Sequence, residues 1–206
     1  MSYTIDYKSN LMALINDDTV LGWCQPEKAI DLYDRVVEEE AKLVVELGVF
    51  GGKSLVALGL GAKKLGNCKV IGIDPWKHDD ALNETDGANR DWWAAQDLEA
   101  VYHQAKHVMN RAMLSGVVQL MKRNSVDALE HIGDDIDVLH IDGNHSEWDS
   151  CRDVLNWLPK VKPGGVIYMD DEDWVSTKKA QEFLASKCTK ISTIKTTNEC
   201  GVYRKN

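Results

Sequence analysis

Long hydrophobic runs are absent from this sequence. Uncharged stretches such as Ala112 to Met121 are far too short to span a bilayer. The N-terminus, MSYTIDYKSN, lacks the apolar segment of a signal peptide. The cytoplasm is therefore the expected location, and no membrane partner is expected. Proline is scarce, with 4 residues beside 15 glycines, which excludes a low-complexity or collagen-like chain. The five cysteines (Cys24, Cys68, Cys151, Cys188 and Cys200) are odd in number and form no CxxC pair. That argues against a disulfide framework or a structural zinc site and for reduced thiols. Basic residues are outnumbered, 24 Lys and Arg against 33 Asp and Glu, for a formal net charge of −9. No basic patch stands out, so no nucleic-acid partner is expected.

What is present is alternation. Its 206 residues suit one domain with a full core. Pro26 to Glu40 has helical spacing, with Ile30, Leu32, Tyr33, Val36 and Val37 on one face. Short apolar runs read as strands at Lys42 to Leu47, Lys69 to Ile73, Val117 to Met121, Ile136 to Ile141 and Val166 to Met169. Helices are expected between them at Lys53 to Leu65 (closed by Gly66), Asp91 to Leu114, Val126 to Ile132, Ser146 to Leu158 and Thr177 to Ser186. Pro163-Gly164-Gly165 reads as a turn, and Lys190 to Lys195 with Gly201 to Tyr203 as a closing hairpin. This order predicts an α/β fold, a doubly wound and mostly parallel sheet with ligands bound beyond the carboxyl ends of its strands.

The residues just after each strand carry the chemistry. The first strand runs into Glu46-Leu47-Gly48-Val49-Phe50-Gly51-Gly52-Lys53-Ser54. Gly52-Lys53-Ser54 resembles the end of a phosphate loop, but the leading glycine is one position out of place. The glycines also match a GxGxxG dinucleotide fingerprint poorly. An E-x-G-x-x-x-G cofactor loop and a plain turn remain. Asp74 ends the second strand, where a carboxylate can accept ribose hydroxyls or cap a turn.

Asp142 and the Asp170-Asp171 pair follow the fourth and fifth strands, with Glu172 and Asp173 beside them. Carboxylates that meet without partners repel, and a hard divalent ion with oxygen ligands would relieve them. The alternative is a solvated acidic loop. His145, three residues after Asp142, is placed to take a proton from a substrate hydroxyl; His140 lies within a strand and is expected to be packed. Trp76, Trp92, Trp93, Trp148 and Trp174 follow strand ends and are candidates for a substrate mouth, whereas Trp157 reads as core.

Together VVELGVFGGKS, IGIDPW, RNSVDAL and DVLHIDGNHSEWDSCRDVLNWLPKVKPGGVIYMDD resemble the class I S-adenosylmethionine-dependent methyltransferases. The nearest resemblance is to small-molecule O-methyltransferases with an IDGxH signature, including those acting on macrolide sugars. Catechol and caffeoyl-CoA O-methyltransferases are similar at a greater distance. The resemblance implies a Rossmann-like, seven-stranded sheet with a reversed last strand. It implies S-adenosylmethionine contacts from Glu46, Gly48, Val49, Phe50, Gly51, Gly52, Ser54, Asp74 and Asp142, with Ser125 near the adenine. It also implies magnesium (Mg2+) or manganese (Mn2+) held by Asp142, Asp170 and Asp171, and His145 as catalytic base. The sequence departs from its relatives at Arg123-Asn124, where they often carry Gly-Asp or Gly-Ala, and at Asp170-Asp171, which stands for the Asp-Asn of the catechol type. Residues 1–41 are expected to form a helical segment serving as a substrate lid on a core of residues 42–206. The expected partner is a small hydroxyl-bearing molecule such as a sugar or another vicinal diol, and self-association into a homo-oligomer stays open. A cofactor-binding module without turnover and a nucleotide hydrolase using Gly52-Lys53-Ser54 are the alternatives from other classes.

Overall fold

A computed structural model describes residues 6–83 and 87–206; the first five residues of the N-terminal segment and 84–86 of the stretch after the second strand lie outside the described residues. In chain order come α1 (Tyr7–Ile15), α2 (Pro26–Glu38), β1 (Leu43–Leu47), α3 (Lys53–Leu65), β2 (Lys69–Asp74), α4 (His78–Ala81), α5 (Gly87–Ala94), α6 (Leu98–Arg111), β3 (Val118–Lys122), α7 (Ser125–Ala128), β4 (Ile136–Ile141), α8 (Glu147–Trp157), β5 (Val161–Met169), α9 (Lys178–Lys187), β6 (Cys188–Lys195) and β7 (Glu199–Lys205). No helix among the described residues is long and apolar enough to cross a membrane. The five cysteines are free.

The strands form a seven-stranded sheet in the order β3-β2-β1-β4-β5-β7-β6. β1 to β5 pair in parallel, and β7 enters antiparallel between β5 and β6. This is the doubly wound sheet that the alternation predicts, with the reversed last strand that the resemblance implies. The central strands are buried almost along their whole length because helices cover both faces.

Side-chain alternation sorts them into two cores. Val44, Val138, Val166 and Val202 face α1, α2 and α3, whereas Val45, Leu47, Leu139, Ile167 and Met169 face α8 and α9. Leu11, Leu32 and Val36 are fully buried in the first core, so α1 and α2 pack as a structural layer. Trp157 is fully buried in the second, as its helical position predicts.

Three local readings are corrected. The helix expected over Asp91 to Leu114 is two helices, because the Asp97 side chain accepts from the Ala100 N–H and starts α6 afresh. The turn expected at Pro163-Gly164-Gly165 lies inside β5. There β5 advances five positions, from Val161 to Val166, while β4 advances only two, from Ile136 to Val138, and the shift absorbs a proline that cannot donate to the ladder. The helix expected over Val126 to Ile132 is the short α7 followed by a 3-10 turn at Leu129–His131.

The second core generates a stability prediction. Truncating the fully buried Trp157 to Ala removes a large apolar volume that the sheet cannot collapse to fill, and should cost about 3–5 kcal/mol. Urea denaturation of Trp157→Ala against the parent checks this; a loss below about 0.5 kcal/mol, the level of an ordinary surface change, would contradict the packing described.

Candidate active site

A cavity of about 600 Å³ opens at the carboxyl tips of β1, β2 and β4; Asp170 and Asp171 at the β5 tip stand beside it and do not line it. The β1 tip turns sharply at Gly48, whose φ of +82° suits glycine and whose missing Cβ would overlap the Asp142 backbone. The β1 and β4 tips therefore touch directly. Gly48, Val49, Phe50 and Ser54 line the cavity. Gly51 and Gly52 do not: a Cβ on Gly51 would strike Leu21, and one on Gly52 would meet Met109. These two glycines admit neighbouring protein, not a ligand as the sequence suggests.

Asp74 holds this loop in place. Its Oδ2 accepts from the Val49 N–H at 3.0 Å and the Phe50 N–H at 2.9 Å, and its Oδ1 accepts from the Trp76 N–H at 2.7 Å. A carboxylate offers about four acceptor positions, so roughly one is left facing the cavity. Burial moves the Asp74 carboxyl upward despite these bonds. Ser125 also lines the cavity, with its hydroxyl donated to Asp153. Burial pushes the Asp153 carboxyl up to about 6.

Glu46 does not reach the cavity. It is fully buried, and its Oε1 lies 2.7 Å from Nδ1 of the equally buried His140 on the neighbouring strand. Burial and the Lys28 charge oppose a proton on His140. The neighbouring Asp170 carboxylate and the hydrogen bond with Glu46 outweigh them, and its basicity rises to about 9. The packed histidine expected inside the fourth strand thus has a charged partner.

The acidic tips carry the largest difference between expectation and structure. Asp142, Asp170 and Asp171 do not converge as one group. Ligand atoms come together as His140 with Asp142 and Asp170, and separately as Asp142 with His145 and Asp171. Between Asp170 and Asp142 lies Lys28 of α2, whose ammonium donates to Asp170 Oδ2 and stands 3.5 Å from Asp142 Oδ2. Its side chain is only 5% exposed. Burial disfavours the charged lysine, but the two carboxylates outweigh it and hold the ammonium well above the ordinary range. Burial likewise opposes ionisation of Asp170, and Lys28 and His140 overcome it, leaving this carboxyl well below its usual range. Burial and the Asp170 charge push the Asp142 carboxyl up.

Asp171 takes the other side, with Oδ2 at 2.8 Å from His145 Nε2 and Oδ1 accepting from Asn198 Nδ2 at 2.5 Å. Burial lowers His145, and the surrounding Asp171, Asp142 and Asp170 carboxylates more than reverse this, for a net rise. His145 is 24% exposed and lines the cavity. It does not cap α8, since Ser146 does, accepting from the Asp149 N–H. Glu172 and Asp173 leave the site: Glu172 pairs with Tyr203 and Lys190, and Asp173 accepts from the Glu199 N–H.

Aromatic rings crowd the mouth. Trp23 stacks on Phe50 at 5.1 Å and meets Trp92 edge-on at 5.0 Å, with Trp93 completing the group. Trp174 lies 5.4 Å from the His145 ring. Trp76 lines the cavity but is nearly buried, with its indole N–H donated to the Phe50 carbonyl, and Trp148 is exposed outside the cavity lining. Trp23 and Lys28 are the residues that sequence reasoning missed. A lysine on the apolar side of a helix, four positions before Leu32, was the available signal for Lys28.

Comparison with known proteins places the chain in a family. A family model described as a methyltransferase domain matches residues 45–172. An uncharacterized protein, y4gI, of Sinorhizobium fredii is 32% identical over 77 residues, which make up 36% of this chain and only 8% of that protein. The chain thus spans less than a tenth of that relative. Among solved structures, a putative O-methyltransferase from Klebsiella pneumoniae shares 13% identity at a TM-score of 0.69, covering 98% of this chain and 91% of that one. An O-methyltransferase from Bacillus cereus in complex with SAH shares 16% identity at 0.67, covering 98% and 90%. Cofactor-bound Rv0187 from MTB shares 17% at 0.68, covering 98% and 89%. At these identities the structures speak for the fold, and the family match covers more than half of the chain: it belongs to the methyltransferase-domain family.

Proposed function

We propose that this chain is an S-adenosylmethionine-dependent O-methyltransferase acting on a hydroxyl of a small molecule. The observation that carries the reading is one cavity running from the Gly48 and Asp74 tips to His145. The similar O-methyltransferase crystallised with SAH supports the choice of cofactor. The residues fit a nucleoside-bearing cofactor, because Asp74 keeps an acceptor position open to the cavity and Ser54 and Ser125 line the same space. When bound, S-adenosylmethionine supplies an electrophilic methyl group on a cationic sulfur. The acidic tips favour such a charge, with Asp142 lining the cavity and Glu46 buried behind it.

His145 is the base in this reading. With Nε2 turned to Asp171, Nδ1 is the nitrogen left to accept the hydroxyl proton, and Asp171 steadies the imidazolium that results. Trp174 beside His145, and the Trp23, Phe50 and Trp93 group across the mouth, offer apolar faces to the acceptor. Sugars and other vicinal diols, which the sequence resemblance implies, fall within this class. The divalent ion implied by the same resemblance does not fit Asp142, Asp170 and Asp171. Two of these carboxylates bracket the Lys28 ammonium, and the third is engaged by His145 and Asn198. No step here runs through a metal. The Lys53 side of the cavity leaves nucleotide binding as the reading to exclude. Calorimetry that shows ATP binding and no heat from S-adenosylmethionine would overturn the assignment.

Asp74→Ala should weaken S-adenosylmethionine or SAH binding about tenfold or more, since a charge-assisted hydrogen bond contributes roughly 1.5–3 kcal/mol. It should also lower the melting temperature, because Val49, Phe50 and Trp76 lose their acceptor. Calorimetry and thermal melts on this variant check both effects, and unchanged affinity in folded protein removes Asp74 from the cofactor site.

His145→Ala should retain SAH binding and lose about 10²- to 10⁴-fold in kcat. The base works only when neutral, and its surroundings raise its basicity above the ordinary value. The rate should therefore rise with pH through an inflection above the ordinary histidine value of about 6.5 and fall on the acid side. A pH–rate profile shows this limb, and near-normal kcat in the variant would exclude His145 as base.

A further inference from the structure

Lys28 lies at the centre of the acidic tips, and the function proposed above makes no use of it. It comes from α2, outside the segment matched by the methyltransferase-domain family. The ammonium reaches Asp170 and Asp142, two of the three carboxylates to which the sequence resemblance assigns a divalent ion. A magnesium-sized ion bridging those oxygens would sit about 2.0–2.1 Å from each, on the ground Lys28 occupies. His140 stands behind the same pair, with Nε2 3.6 Å from Asp170 Oδ1 and 3.9 Å from Asp142 Oδ2. The carboxylates thus already have an organic cation, the Lys28 ammonium. The repulsion that would recruit a metal is relieved within the chain.

We propose that Lys28 is the resident cation of this site, taking the place of the divalent ion and making methyl transfer by this chain independent of metal. The proposal rests on the methyltransferase reading. Lys28 is a positioning residue: it is buried beneath the cavity and acts through Asp142, which lies on the cavity wall with Oδ1 3.7 Å from His145 Nε2. A covalently tethered ammonium holds Asp142 and Asp170 apart and in register without a metal-binding equilibrium. Removing it would leave His140, Asp142 and Asp170 with ligand atoms within 4.8 Å of one another, a set able to hold a metal ion.

The test is manganese uptake, read by the loss of the free Mn2+ resonance signal, alongside SAH calorimetry. The parent protein should take up no stoichiometric Mn2+, with or without SAH, and its methyl transfer should survive exhaustive chelation. Lys28→Gln should acquire stoichiometric Mn2+ uptake and a Mn2+-dependent rise in melting temperature. Lys28→Arg should behave as the parent. Stoichiometric uptake by the parent, or loss of its activity on chelation, would overturn the proposal without needing any variant to fold. Folded Lys28→Gln that takes up no Mn2+ would overturn it as well, because the lysine would then not be what closes the site. SAH binding is read separately, so failure of the methyltransferase reading would show as absent SAH heat whatever the manganese result.

Discussion

The buried contact of Lys28 with Asp170 and Asp142 is the interaction on which the carboxyl end of this sheet depends. An ammonium with 5% of its side chain exposed is tolerable only where its partners recover the lost hydration. Breaking such a pair by removing one member typically costs about 3–5 kcal/mol, because the other charge is left buried and unpaired. The contact fastens α2 to the tips of β4 and β5. It belongs to a longer polar seam. Asp31, three residues further along α2, accepts from the Tyr168 hydroxyl at 2.5 Å, and Glu39 pairs with Arg204 of β7 at 2.6 Å. The sheet answers with Glu46, His140 and Tyr168, which are register neighbours on adjacent strands. A polar row thus crosses an otherwise apolar core. It fixes which face of α2 meets the sheet, a specificity that apolar packing alone supplies weakly.

The site follows from this arrangement and from strand alternation. His140, Asp142, Tyr168 and Asp170 alternate along two paired strands and point to the α2 face. Asp171 follows Asp170 with a positive φ of 53°, which turns its side chain away to His145. A run of neighbouring acids is thereby divided between two basic partners, Lys28 and His145. Asp142, in reach of both Lys28 and His145, links them. The glycine loop owes its shape to Asp74 and to contact between the β1 and β4 tips at Gly48, so the cofactor side of the cavity is built before any ligand arrives.

The thiols play no part in this chemistry. Cys24 lines the cavity, but burial pushes it up to about 12, far from a thiolate at neutral pH. The aromatic group at the mouth is more open. Trp23 is 62% exposed while stacked on Phe50, a large apolar surface left facing solvent beside the cavity. The residues ahead of α2 therefore shape the entrance through Gly22, Trp23 and Cys24, whereas α2 itself belongs to the core.

The sequence by itself determined the alternation of strands and helices, the closing hairpin and the positions of Asp74, Asp142, Asp170 and His145 at strand tips. These follow from local periodicity and from glycine turns, which depend on near neighbours. It did not determine which charges meet. Glu46 has the sequence signature of a cofactor contact, yet the sheet pairs it with His140, 94 positions away. Lys28 lies 142 positions from Asp170 and 114 from Asp142. Nothing in its local helical pattern announces that partnership. A carboxylate cluster reads as a vacancy for a cation in one dimension. Only packing decides whether that cation comes from solution or from the chain, because burial makes the cost of a charge depend on what lies beside it in space.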